Sequence, residues 1–419
     1  MRAFCQVALL ELRRLVRSKT ALALLLASVA WMLATPYLVK SDGTLDGARQ
    51  IYVRFSLGGV FVLCAISLAA SAASSLALER ENRRLQLSRT RPVARLTLAL
   101  ARMFALTSLG AAVLAMSSLI LLCNVQGDRL CNHVAGPVME SIEAEAARMY
   151  DYYMADPETP PEIKAAKKST VMRVLRQGAL DHYQSIAADE TAEWTFPAPQ
   201  SEKLSVSLRF TNDFDLRDDV RGEFSYGAFR GAVSNITQAV VHVPLEAGSG
   251  GVAGAQDGKL RFVNMGVSSL MLRPRKDIKL LSGADSFRMN LLRAYLELVS
   301  MLSATIAFAV FLGAGLGRPV AVFTCITFMF VSFASSDIIG QYPDQFETDN
   351  VDRIGLALTR AVEYASRPVN SLHPLASLSA DECIEPGEAI PVALVDMVLL
   401  PLLFALLSSF AISLREDWI

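Results

Sequence analysis

Six apolar runs set the pattern of the chain, at 20–39, 55–78, 96–123, 294–316, 319–336 and 390–414. Each lies close to the roughly 20 residues that a helix needs to cross a bilayer. The fifth, PVAVFTCITFMFVSFASS, is the shortest, and only Gly317 and Arg318 separate it from the fourth. That spacing predicts a tight helical hairpin. The first run follows a basic segment, as a cleaved signal would. Its apolar stretch is longer than a signal core and no small-x-small site follows it, so it reads as a retained anchor. Ahead of it, residues 1–19 place Phe4, Val7, Ala8, Leu12 and Leu15 at helical spacing, with Glu11, Arg13, Arg14 and Arg17 mostly off that stripe. This is the pattern of a helix lying in the membrane surface. A plain extension of the first span is the alternative.

Between the third and fourth runs the texture changes twice. Residues 137–190 read as helical, broken at PETPPE, and Tyr150, Tyr152 and Tyr153 fit helix packing better than a ligand platform. From Glu193 the runs WTF, KLSVSLRF, EFSYGAF, QAVVHVPL, KLRFVNM and IKLLSG are short and alternating or β-branched, with glycine- and asparagine-rich turns between them. That is a β-sandwich signature. The expected fold is an α-helical polytopic membrane protein of six transmembrane helices, with an inserted extracytoplasmic α+β domain containing a jelly-roll-like β-sandwich. The expected parts are an interfacial helix at 1–19, spans one to three over 20–123, and an outer helical segment at 124–192. The sandwich follows at 193–284, spans four and five at 285–336, an outer connection at 337–389, and the last span with its tail at 390–419.

Composition agrees with a membrane chain: 52% of the 419 residues are hydrophobic and 19% are charged, against about 25% charged in a soluble domain. Forty basic and 41 acidic residues nearly cancel, which gives nucleic acid no reason to bind. The placement of charge carries more information. Arg2, Arg13, Arg14, Arg17 and Lys19 precede the first span, and Arg80, Arg83, Arg84, Arg89, Arg91 and Arg95 lie between the second and third. The positive-inside rule puts these in the cytoplasm, with both termini, and puts 124–290 outside.

Candidate chemistry is sparse. There is no GxxxxGK[ST] phosphate loop, no HExxH and no GxSxG elbow, so ATP hydrolysis is not expected of this chain, and no motif supports another enzyme activity. Neither a metal nor a cofactor site is expected. Asn235-Ile236-Thr237 is formally a glycosylation sequon. Glu297 and Asp396 fall inside apolar runs, where an ionisable group is a functional candidate by default. Either could line a substrate path or pair with an arginine such as Arg293, and the alternative places both at the interface. Pro401 should kink the last span. Of six cysteines, Cys5, Cys64, Cys123 and Cys325 fall in or near spans, whereas Cys131 and Cys383 lie outside, where a disulfide between them is permitted.

The stretch ERENRRLQLSRTRPVAR at 79–95 resembles the cytoplasmic loop of ABC-2-type transporter permeases, ERE-x-x-T-L-E-x-L-L-x-x-P-V-x-R. Glu79, Arg80, Glu81, Leu85, Pro92, Val93 and Arg95 match that pattern at the right interval, and Leu87 falls at one of its open positions. Arg83, Arg84, Gln86, Ser88 and Arg89 depart from it. The basic lead-in, the six spans and the long outer connection before the last span also fit; the insertion between spans three and four does not fit the simplest members. The resemblance implies a permease subunit of the bacterial inner membrane, paired with a second copy or a homologue. Separate ATPase subunits would carry ATP and Mg, and contact Glu79, Arg80, Glu81, Arg84, Leu85, Leu87, Pro92, Val93 and Arg95. Two other readings are a membrane-anchored sensor whose sandwich binds glycan, peptide or envelope polymer, and a polytopic enzyme with outward-facing chemistry.

Overall fold

The computed structural model describes residues 2–39, 45–81, 94–124, 130–157, 159–161, 164, 166, 168–180, 182–197, 203–208, 221–234, 241–247, 258–266, 269–341 and 373–416. The chain forms two compact units: a helical one, Met1–Arg129 with Ser286–Ile419, and a strand-rich one, Leu130–Asp285.

In the helical unit, α1 (Arg2–Val16) ends before Ser18. The Ser18 side chain caps the next helix, α2 (Lys19–Leu38), by accepting from the Ala21 N–H at 3.2 Å. The first span therefore starts as a separate helix, and α1 packs mainly along α4 (Arg95–Asn124). The residues Phe4, Val7, Ala8, Leu12 and Leu15 form the less exposed face of α1, while Leu9, Leu10 and Val16 are exposed. α3 (Leu45–Glu81) is one unbroken helix of 37 residues. α7 (Phe287–Gly315) and α8 (Arg318–Gln341) are joined by only two residues. They fold back on each other, with the rings of Phe308 and Phe328 4.7 Å apart. This is the hairpin that the spacing predicts.

The chain then passes through α9 (His373–Ser379) and α10 (Pro386–Leu394), a π-helical turn at Val395–Leu399, and α11 (Leu400–Glu416). Among the described residues, five helices are long and apolar enough to cross a membrane: Lys19–Leu38, Ala48–Leu78, Arg95–Asn124, Phe287–Gly315 and Ala389–Ser413. They mark the chain as a membrane protein. α8 corresponds to the fifth of the six expected spans, and its described side chains give the apolar stretch Arg318–Val331.

α7 is the centre of this unit. In its apolar window 83% of residues are buried, against 22% in α2 and 17% in the last span. It packs on α3, α4, α8 and α11. Gly313 lets α7 meet the backbone of α3, since a Cβ there would lie 2.4 Å from the Ala73 carbonyl oxygen.

Among the described residues, the strand-rich unit holds one eight-stranded sheet in the order β1-β10-β4-β7-β6-β5-β8-β3. Its strands are β1 (Leu130–Ala135), β3 (Thr191–Thr195), β4 (Leu204–Leu208), β5 (Arg221–Tyr226), β6 (Phe229–Ser234), β7 (Val241–Ala247), β8 (Lys259–Asn264) and β10 (Ile278–Ser286). β2 (Gln184–Ile186) and β9 (Leu270–Leu272) pair separately. Side chains from β4 and β10 share one core with Trp194, Phe224, Tyr226, Leu260 and Phe262 from the other half of the sheet. The sheet is therefore curled. Alternation drives this arrangement: β3 and β8 bury every second side chain, which gives each strand one apolar face. Gly227, with φ +58°, occupies the first central position of the two-residue β5–β6 turn, the place where hairpins favour glycine. All six alternating runs contribute strands, but the sheet begins at Leu130 rather than Glu193. Helices α5 (Ile142–Ala155) and α6 (Lys168–Leu180) pack together within the excursion between β1 and β2.

Candidate functional site

The arginine-rich loop is bounded by two span-length helices. α3 stays helical through Glu79, Arg80 and Glu81, and α4 begins at Arg95. Residues 82–93, which include Arg84, Leu85, Leu87, Pro92 and Val93, lie outside the described residues, as do the side chains of Glu79, Arg80 and Glu81. What is visible is where the loop returns to the bundle. Arg102, about two turns into α4, is 3% exposed, and its Nη2 donates to Glu11 Oε1 of α1 at 2.9 Å. Arg14 approaches the same carboxylate at 3.9 Å. The rings of Phe4 and Phe104 lie 5.9 Å apart and continue the contact. The amphipathic N-terminal helix is thus fastened beside the exit of the loop by a largely buried ion pair. Neither side chain has an expected partner from the sequence alone. The signal was there: one arginine inside an apolar run, and one glutamate within a basic amphipathic helix.

A second cluster gathers at the opening of α7. Asn290 is fully buried, its Nδ2 donating to the Glu382 carbonyl at 2.7 Å and its Oδ1 accepting from the Ile384 N–H at 2.8 Å. Arg293 Nη1 donates to the Ile384 carbonyl at 3.2 Å. Arg49 of α3 lies 3.6 Å from Asp381 and 5.1 Å from the centre of the Phe287 ring. These bonds tie the segment before the last span to α7 and α3. The segment includes Cys383, which is disulfide-bonded, as is Cys131, whereas Cys5, Cys64, Cys123 and Cys325 are free thiols.

The two intramembrane carboxylates differ. Glu297 is half-buried on α7, and its main-chain oxygen accepts from the Ser300 hydroxyl at 2.8 Å. Asp396 is 3% exposed on the π-helical turn, and its Oδ2 meets no hydrogen-bond partner among the described residues. That turn packs against α7.

Among the described residues no group of three or more His, Cys, Asp or Glu side chains is placed to hold a metal ion. No family model, curated protein or solved structure matches the chain.

Proposed function

We propose that the chain is the membrane-spanning permease subunit of an ATP-driven ABC transporter that exports its substrate. The observation that carries this reading is the ERE and PVxR elements at their fixed interval, with ERE at the end of the span-length helix α3 and the arginine of PVxR opening α4. In this reading α8 is the sixth span, both termini are cytoplasmic, and the 79–95 loop docks into a groove on a separate ATPase subunit. ATP binding draws two such loops together, and each α3 and α4 carries the displacement into its bundle. The Glu11–Arg102 pair supports the reading, because it makes α1 part of the structure that receives the push. The strand-rich unit lies outside, where it binds or hands over substrate or recruits an extracytoplasmic partner.

The test is affinity purification of the full chain from its native membranes, with and without nucleotide. Recovery of an ABC ATPase, reduced when Glu79 and Glu81 are both changed to lysine, is the expected result. Failure to retain any ATPase under either condition sinks the proposal.

A second reading, a membrane-anchored sensor, draws on the strand-rich unit having a hydrophobic core of its own. It expects the chain to bind glycan, peptide or envelope polymer, with the lysine changes at Glu79 and Glu81 harmless.

A further inference from the structure

The exposed side of α1 mixes two kinds of side chain that water does not suit equally. Leu9, Leu10 and Val16 are 51–62% exposed, and Arg13 and Arg17 are exposed beside them. Leu9, Arg13 and Arg17 follow at four-residue steps and so lie one above another on the helix, while Leu10 and Val16, each three residues from Arg13, flank that row. Like charges four residues apart repel and weaken a helix. Glu11 is the only acidic residue among the first 41. Its carboxylate is taken by Arg102 at 2.9 Å, with Arg14 3.9 Å away. Among the described residues, Arg13, Arg17 and Lys19 form no ion pair.

The chain itself sets the depth of this face. Ser18 alone separates Arg17 from Lys19, the first residue of the span-length helix α2. α1 packs along α4, which is span-length from Arg95 onward, and the Glu11–Arg102 pair holds it there. α1 therefore lies beside the points where two spans enter the lipid, fastened to the bundle. A helix with basic and large apolar side chains on its exposed face lies in the boundary between headgroups and acyl chains.

We propose that Arg13, Arg17 and Lys19 bind the phosphate of an acidic phospholipid, whose acyl chain lies along Leu9, Leu10 and Val16. One such molecule supplies both things this face lacks: an anion against the two arginines, and hydrocarbon over the side chains that water would otherwise meet. Arginine suits the first task, because its planar guanidinium matches phosphate oxygens two at a time. Each basic side chain at the membrane surface adds to the attraction for acidic lipids. Free phosphate would answer the arginines alone and leave the leucines uncovered. A zwitterionic lipid brings a cation that the same residues repel. The site does not rest on the transporter reading.

The experiment titrates dioleoylphosphatidylglycerol into the full chain in detergent, with no ATPase present, and counts bound lipids by native mass spectrometry. Dioleoylphosphatidylcholine, with the same acyl chains and no net charge, is the control. The expected result is saturable retention of phosphatidylglycerol that phosphatidylcholine does not displace, and that weakens as salt rises from about 0.1 to about 0.5 M. Arg13→Gln combined with Arg17→Gln should weaken it by about tenfold or more, since two cations are lost. Arg13→Lys combined with Arg17→Lys should keep most of it, Leu9→Ser should weaken it several-fold, and Lys259→Gln in the strand-rich unit should leave it unchanged. Equal retention of the two lipids, displacement by glycerol phosphate at equal concentration, or an unchanged affinity in the double glutamine variant overturns the proposal. If that variant does not fold, an unchanged affinity in Lys19→Gln overturns it instead. Reduced ATPase recovery in the double glutamine variant with lipid retention intact assigns the face to the ATPase, and also overturns it. The titration needs no ATPase, so the lipid site and the transporter reading fail separately.

Discussion

Tyr226 shows what a single group can cost and report. It is fully buried in the curled sheet, and its hydroxyl meets no hydrogen-bond partner among the described residues. Tyr226→Phe is therefore expected to leave thermal stability unchanged or to raise it by up to about 1 kcal/mol, because a desolvated, unsatisfied polar group is removed. Burial also raises the Tyr226 phenol above its ordinary value. The folded state thus favours the neutral form. Its contribution is complete below the unfolded value near 10 and is lost as pH climbs through the raised folded value. Circular-dichroism melts at neutral and strongly alkaline pH should show the Phe variant losing less stability on the alkaline side; an equal loss contradicts this account. At Gly313, an added methyl group would meet the Ala73 carbonyl of α3. Gly313→Ala is expected to destabilise by about 1–3 kcal/mol through overpacking, measurable as a lower melting temperature in detergent. The Glu11–Arg102 pair is more sensitive still. Removing either side chain alone should cost about 3–5 kcal/mol, and removing both should cost far less than the sum, as a double-mutant cycle would reveal.

At the scale of elements, period and capping are what sequence conveys well. The 3.6-residue stripe of α1 and the alternation of β3, β4, β5 and β8 are local patterns, and these elements appear where the patterns lie. Ser18 is a local signal too. Its side chain separates α1 from α2, and Ser18→Ala should cost about 1 kcal/mol and loosen that break. A lower melting temperature together with greater proteolysis near residue 18 checks this. β1 was hidden because LCNHVA is short and its partner β10 lies more than 140 residues later. The π-helical turn was legible only through Pro401: a proline announces a missing donor, but not whether the helix bends, breaks or widens around it. Nor did hydropathy single out α7 as the central helix, since every run is apolar. Its small and hydroxylated residues, such as Ser300, Ser303, Ala304 and Thr305, let neighbours close in, as they do between membrane helices generally.

The whole molecule combines a membrane bundle and a strand-rich unit with its own core, and the transporter proposal adds a cytoplasmic loop that accepts work, as a third element. The first two follow from hydrophobic burial, which composition and period record. The third depends on a partner surface, and a single chain carries only its half of that chemistry in the residues of 79–95. The long α3 adds a geometric consequence. Its 37 residues extend about 55 Å, whereas the hydrocarbon layer is about 30 Å deep. A rod of that length has to stand clear of the oil on at least one side, and it does so without a joint. In the transporter reading, a nudge at its wet tip would become a tilt through the full depth of the lipid, and Gly313 would pass that tilt to α7 at the point where the two backbones touch.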